Sequence, residues 1–105
     1  MSTLNKAQLK FLRGQSHQIK PIFQVGKQGL SEAFVTQIDQ ALEKRELIKF
    51  TVLQNSDETP EEVAEAVAAA LEAEVVQVIG NIGILYRPSS QTKYRELSQQ
   101  VAAKE

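Results

Sequence analysis

The stretch Gln24-Val25-Gly26-Lys27-Gln28-Gly29-Leu30-Ser31-Glu32 holds two of the five glycines in a chain of 105 residues. Just upstream, after Pro21, Ile22 to Val25 reads as a short strand that Gly26 stops. Just downstream, Phe34, Val35, Ile38, Ala41 and Leu42 recur at helical spacing. Ser31 is a good N-cap and Glu32 complements the dipole of a first turn, so a helix is expected from about Ser31 to Arg45. The stretch is therefore a strand-to-helix turn. A strand that hands over to a helix implies crossover connections and some parallel pairing.

Working outward, Leu4, Ala7, Gln8, Phe11 and Leu12 predict a first helix from about Leu4 to near Gly14, with Thr3 placed to cap it. Leu47 to Leu53 reads as a second strand, Ile48, Phe50 and Val52 on one face and Leu47, Lys49, Thr51 and Leu53 on the other, with at least one face buried. Thr59-Pro60-Glu61-Glu62 is a capping box with proline at the first helical position, opening a third helix through Val63, Val67, Ala70 and Leu71. Val75 to Ile79 and Ile82 to Arg87 predict two further strands, joined where Gly80 and Asn81 would supply the positive φ angles of a hairpin. Residues 1–88 form the expected domain. Pro88 ends it, and in the polar tail 89–105 Tyr94, Leu97 and Val101 fit either one weak amphipathic helix or a loose segment. The order α-β-α-β-α-β-β predicts an α/β fold: a four-stranded mixed sheet with helices packed on it. Phe11, Phe23, Phe34 and Phe50 are expected in its core.

Composition is that of an ordinary globular domain, 42% hydrophobic and 24% charged. The absence of cysteine excludes disulfides, thiolate metal sites and a cysteine nucleophile, and suits a reducing compartment. Met1 leads into a polar, helix-like start, and no apolar run is long enough to cross a bilayer, so a cytoplasmic protein without membrane contact is expected. The net charge of -1 conceals a partition. Residues 1–30 carry five bases and no acid, whereas residues 56–80 carry seven acids and no base. Such a molecule offers one end to an anion while staying nearly neutral overall.

Two GxxG patterns invite opposite readings. Gly80-Asn81-Ile82-Gly83 lies between strands and reads as a turn. Gly26-Lys27-Gln28-Gly29 lies before a helix and has a lysine at its tip. Glycines there let a polyanion backbone approach, and the helix start adds N–H donors and partial positive charge. Neither a Walker A loop nor a dinucleotide fingerprint is present, but a GxxG loop before a helix is how KH domains clamp a nucleotide backbone. His17 sits beside the basic cluster. Tyr86 reads either as a base-stacking ring or as the finish of a strand, and Arg87 either as a phosphate contact or as a solubilising charge. Glu61, Glu62 and Glu65 read as a solvated first turn. With one histidine, no triad and no metal-ligand cluster, no enzymatic activity, cofactor or metal is expected.

Taken together, Leu12-Arg13-Gly14-Gln15-Ser16-His17, Lys20-Pro21, Val25-Gly26-Lys27-Gln28-Gly29-Leu30, Glu46-Leu47-Ile48-Lys49, Val78-Ile79-Gly80 and Leu85-Tyr86-Arg87-Pro88 resemble the CRM domain, the chloroplast RNA splicing and ribosome maturation family, in its bacterial stand-alone YhbY-type form. The resemblance spans residues 4–88. It implies an RNA-binding domain with a fold similar to the C-terminal domain of translation initiation factor three, acting on precursors of the large ribosomal subunit. It also places RNA contacts on Gly26, Lys27, Gln28 and Gly29 and on the basic positions Arg13, Lys20 and Arg87. Lys6 and Lys10 add electrostatic reach. The expected partner is rRNA, with ribosomal proteins as further partners of a monomer. The acidic third helix faces away from RNA, either as a solubilising surface or as a docking site. The rival reading is a protein–protein adaptor that reaches ribosomal particles through that acidic face and touches RNA little. No function is carried onto the tail.

Overall fold

Chain order and caps explain most of the architecture. In a computed structural model, residues 4–26, 31–54 and 56–104 are described. Helix α1 spans Lys6–Ser16, strand β1 Phe23–Val25, helix α2 Glu32–Arg45, strand β2 Leu47–Val52 and helix α3 Pro60–Leu71. Strands β3, Glu74–Ile79, and β4, Ile82–Tyr86, precede a 3-10 turn at Thr92–Tyr94 and helix α4 at Glu96–Ala102.

Ser31 caps α2, its hydroxyl accepting from Phe34 N at 3.1 Å. Thr59 and Glu62 form the reciprocal capping box of α3. At α1 the start differs from the expected one. Asn5 Oδ1 accepts from Gln8 N at 2.8 Å and Gln8 Oε1 from Asn5 N at 2.9 Å, so Asn5 is the cap and the helix begins at the next residue, Lys6. Asparagine is among the strongest N-caps, and a glutamine three residues later completes the pair. Thr3, expected as the cap, lies outside the described residues.

The sheet order is β1-β2-β4-β3. Crossover through α2 makes β1 and β2 parallel, with Phe23 opposite Phe50. The crossover through α3 carries β3 past one vacant position, which β4 fills by returning antiparallel to both neighbours. The expected mixed sheet with packed helices is what the chain adopts.

Each face of this sheet has its own core. On one, α2 and α3 bury Ile38, Leu42, Val63 and Val67 against Ile48, Phe50 and Leu85. Phe34 stands edge-on to both Phe23 and Phe50, with centroids 6.1 and 6.0 Å away. On the other, Leu12 of α1 and Val101 of α4 meet Leu47, Val76, Ile84 and Tyr86. The tail after Pro88 is thus folded back as a helix whose Val101 is only 3% exposed.

The β3–β4 hairpin corrects one expectation. Gly80 has φ +55°, but Asn81 is not left-handed; its carbonyl instead accepts from Val52 N at 2.7 Å. Gly83 answers to packing: a Cβ there would fall 2.7 Å from Phe50 Cε1 in the neighbouring strand. The strand ends at Tyr86, although Arg87 N still donates to Glu46 O at 2.9 Å.

Candidate nucleic-acid interface

Strand alternation creates an open strip on the α1 side of the sheet. Because Ile48, Phe50 and Val52 enter the α2–α3 core, Leu47, Lys49 and Thr51 point the other way. By the same rule Gln24 of β1 faces this side, and it is exposed. Helix α1 covers Leu47 but ends at Ser16, so the β1–β2 end of this face is left open.

A groove of about 590 Å³ lies there, between the end of α1, the segment leading into β1, strand β2 and α4. Its floor is apolar, with Ile19, Ile22, Leu47 and Leu97. Its charged lining is Lys20, Arg45 and Lys49, accompanied by the amides of Gln15 and Gln18. Among the described residues no carboxylate lines it. Three cations brought into one concavity without an acid focus positive potential on it.

Lys20 therefore meets two partners that sequence reasoning did not select. Arg45 enters the sequence reading only as the expected last residue of the second helix, and Lys49 only as a residue on the second face of a strand with at least one buried face. The available signal was Lys49 itself, the one charge in the strand Leu47–Val52. Lys6, Lys10, Arg13 and His17 are all exposed. They lie on the side of α1 turned away from its buried Gln8, Leu12 and Ser16, and form a row that leads to the helix end beside the groove.

Of the glycine loop, Gly26 is described, whereas Lys27, Gln28 and Gly29 lie outside the described residues. Gly26 follows β1 at the far end of the strip from Lys20. A Cβ on it would meet only Leu53 Cδ1 at 3.8 Å, an ordinary contact, and its φ lies outside the left-handed range. Within the described residues, neither packing nor backbone geometry requires glycine at this position.

Two residues at the end of β4 have internal duties. Tyr86 is 2% exposed, which removes its ring as a stacking surface. Burial, with the Glu46 carboxylate second, pushes its hydroxyl pKa up to about 12. Arg87 is not brought to the groove. Its guanidinium donates to Asp39 Oδ1 at 2.7 Å, to the Asp39 and Leu71 carbonyls at 3.1 Å each, and to Glu43 at 3.4 Å. It fastens β4 to α2 and the end of α3, with its side chain 14% exposed. Glu43 also accepts from the Ser90 hydroxyl and amide, and these bonds hold its carboxyl below the usual range.

Glu46 is the least expected site on this side. It is fully buried with φ 64°, ending α2 in the left-handed region. Its carboxylate accepts from Ser89 N at 2.6 Å and from Ser98 N, in the first turn of α4, at 2.9 Å. One side chain thus ties the end of α2 to the whole C-terminal segment.

The acids gather at the opposite edge of the sheet. A groove of about 460 Å³ between α3 and β3 is lined by Glu61, Glu65 and Glu74 around Ala69, Ala73 and Val78. Strand β3 is one edge of the sheet and β1 the other, so these three carboxylates lie across the sheet from Lys20 and Lys49. Among the described residues no helix is long and apolar enough to cross a membrane.

Comparisons with known proteins agree with this frame. The chain is 47% identical over 94 residues to the "Probable RNA-binding protein YqeI" of Bacillus subtilis, covering 90% of this chain and 98% of that one. It is 39% identical over 93 residues to a Haemophilus influenzae protein named "RNA-binding protein", covering 89% and 94% of the two chains. The solution structure of the hypothetical protein SAV1595 from Staphylococcus aureus superposes with a TM-score of 0.73 at 46% identity, over 90% of this chain and 98% of that one. The family model of the CRS1 / YhbY (CRM) domain matches residues 4–87. With that match spanning most of its length, the chain belongs to the CRS1 / YhbY (CRM) domain family.

Proposed function

We propose that this protein binds RNA through the β1–β2 edge, and that the RNA is rRNA in precursors of the large ribosomal subunit, whose assembly it assists in the cytoplasm. The observation that carries the reading is the groove of Lys20, Arg45 and Lys49, which has no carboxylate among its described lining residues and lies at the edge opposite the acids. Relatives named as RNA-binding proteins support the same class of ligand.

In this mechanism the RNA backbone enters the groove, where the three cations neutralise phosphates and release counterions. It then follows the open strip past Ile22, Gln24 and Thr51 to Gly26, a rise of about 13 Å over four strand residues. There Lys27 and the amides of the Gly26–Gly29 loop, Gln28 included, take the next phosphates. Lys6, Lys10 and Arg13 contribute long-range attraction from the outer side of α1. Arg87 has no part in this path, because both terminal nitrogens of its guanidinium are already engaged by α2 and the end of α3. Phosphate contacts of this kind position the chain on RNA without reading sequence.

A second reading rests on the acidic groove between α3 and β3, whose apolar floor and carboxylate rim suit a basic segment of a ribosomal protein. The two are separable by experiment. Cell extract is sedimented through a sucrose gradient with wild type or with the double variant Lys20→Glu, Lys49→Glu. RNA recognition predicts that wild type travels with large-subunit precursors and the variant stays at the top. A variant that still co-sediments favours the adaptor and refutes the groove.

A further inference from the structure

Beyond the groove, we infer that the C-terminal segment adds a subsite for an unpaired base, with Tyr94 as its stacking platform; this deepens the RNA-binding reading and rests on it. A pocket of about 360 Å³ adjoins the groove and shares Gln15, Arg45 and Leu97 with it. Its further lining includes Lys44, Lys93 and Tyr94. Both pockets thus form one continuous surface running from β2 onto the tail.

Of the large tail side chains, Leu97 and Val101 pack into the α1–α4 core, whereas Tyr94 belongs to neither hydrophobic core. Its ring is partly exposed, and the Lys93 ammonium lies 5.0 Å from the ring centroid. Lys93 is itself exposed, so the ring face beneath its ammonium borders solvent. The same position suits a nucleobase, with the displaced ammonium moving to the adjoining phosphate. Lys44, Arg45 and Lys93 face this space. Of the two acids that line it, Glu46 has its carboxylate buried and engaged by Ser89 and Ser98, and Glu96 is exposed. An aromatic ring among three cations, continuous with a phosphate-binding groove, is the arrangement single-stranded nucleic acid requires.

The test compares wild type with Tyr94→Phe, Tyr94→Leu and Tyr94→Ala for binding to a short unstructured RNA oligomer and to an RNA duplex of equal length. Tyr94→Leu retains apolar bulk, and thermal unfolding verifies that it folds. The expected result is that Tyr94→Leu and Tyr94→Ala weaken the oligomer roughly ten-fold or more. Tyr94→Phe, which keeps the ring, binds as wild type, and duplex affinity is unmoved in all three. The chain has two tyrosines and no tryptophan, so tyrosine fluorescence is a second readout. The oligomer should quench wild type and fail to quench Tyr94→Phe, in which only buried Tyr86 remains. A folded Tyr94→Leu that binds the oligomer as tightly as wild type overturns the subsite alone. Failure of wild type to bind either RNA overturns this subsite and the reading beneath it.

Discussion

Replacing Glu46 by glutamine leaves the side chain's shape almost unchanged and removes one acceptor. The native carboxylate receives two backbone N–H groups, Ser89 at 2.6 Å and Ser98 at 2.9 Å, both in buried surroundings. A glutamine offers one carbonyl oxygen, so its amide must confront the other N–H donor. Leaving a buried donor unpaired costs about 1–3 kcal/mol. For a domain of this size each kcal/mol lowers Tm by roughly 4–8 °C, so Glu46→Gln is expected to melt roughly 5–20 °C below wild type. Because Ser98 lies in the first turn of α4 while α2 and α3 keep their own core, the loss should appear first in the tail. Hydrogen exchange at α4 should accelerate more than exchange in β2. A variant with unchanged Tm and unchanged α4 protection would refute the role assigned to this carboxylate.

Other expectations follow from equally local geometry. Gly83→Ala drives a methyl into the Phe50 ring and should destabilise by about 1–3 kcal/mol, read from urea unfolding; an unchanged midpoint would show that the ring moves aside freely. The Glu43 carboxyl is held below its ordinary value, so it stabilises the fold above that ordinary pKa of 4.5, and the benefit is lost as pH falls through the depressed folded value. Glu43→Gln should therefore narrow the stability gap between neutral and acid pH, and parallel pH profiles for the two proteins would count against the Ser90 contacts. Gly26→Ala and Lys27→Glu should leave Tm near that of wild type and weaken RNA binding. An unaltered affinity in both would take the loop out of the mechanism.

How much of this the sequence disclosed depends on the range of the interaction. Helix starts were readable at Ser31 and at Thr59 with Glu62, because a cap is decided within four residues. The pairing of Asn5 with Gln8 is equally local, yet a threonine two residues earlier competed with it on paper. Register-dependent facts were not readable. Gly83 resembles a turn residue until Phe50 is placed across from it in β2. Tyr86 and Arg87 alternate like residues at an exposed strand end, but α1 and α4 cover one and α2 supplies acids to the other. Glu46 looks like a surface charge, and only the returning tail turns it into a buried acceptor. The basic groove is of the same kind. Lys20, Arg45 and Lys49 come from a linker, a helix end and a strand, and the parallel pairing of β1 with β2 is what brings them together.

The most direct test of RNA recognition is the salt dependence of Kd for a single-stranded rRNA fragment, measured for wild type and for the triple variant Lys20→Ala, Arg45→Ala, Lys49→Ala. Each phosphate contact on a single strand contributes about 0.7 to the slope of log K against log salt. Three lost contacts should therefore flatten that slope by about 2 and weaken binding at low salt. The account predicts a steep wild-type slope that becomes shallower by this amount while the fold is kept. Equal slopes and equal affinities in the two proteins would contradict it.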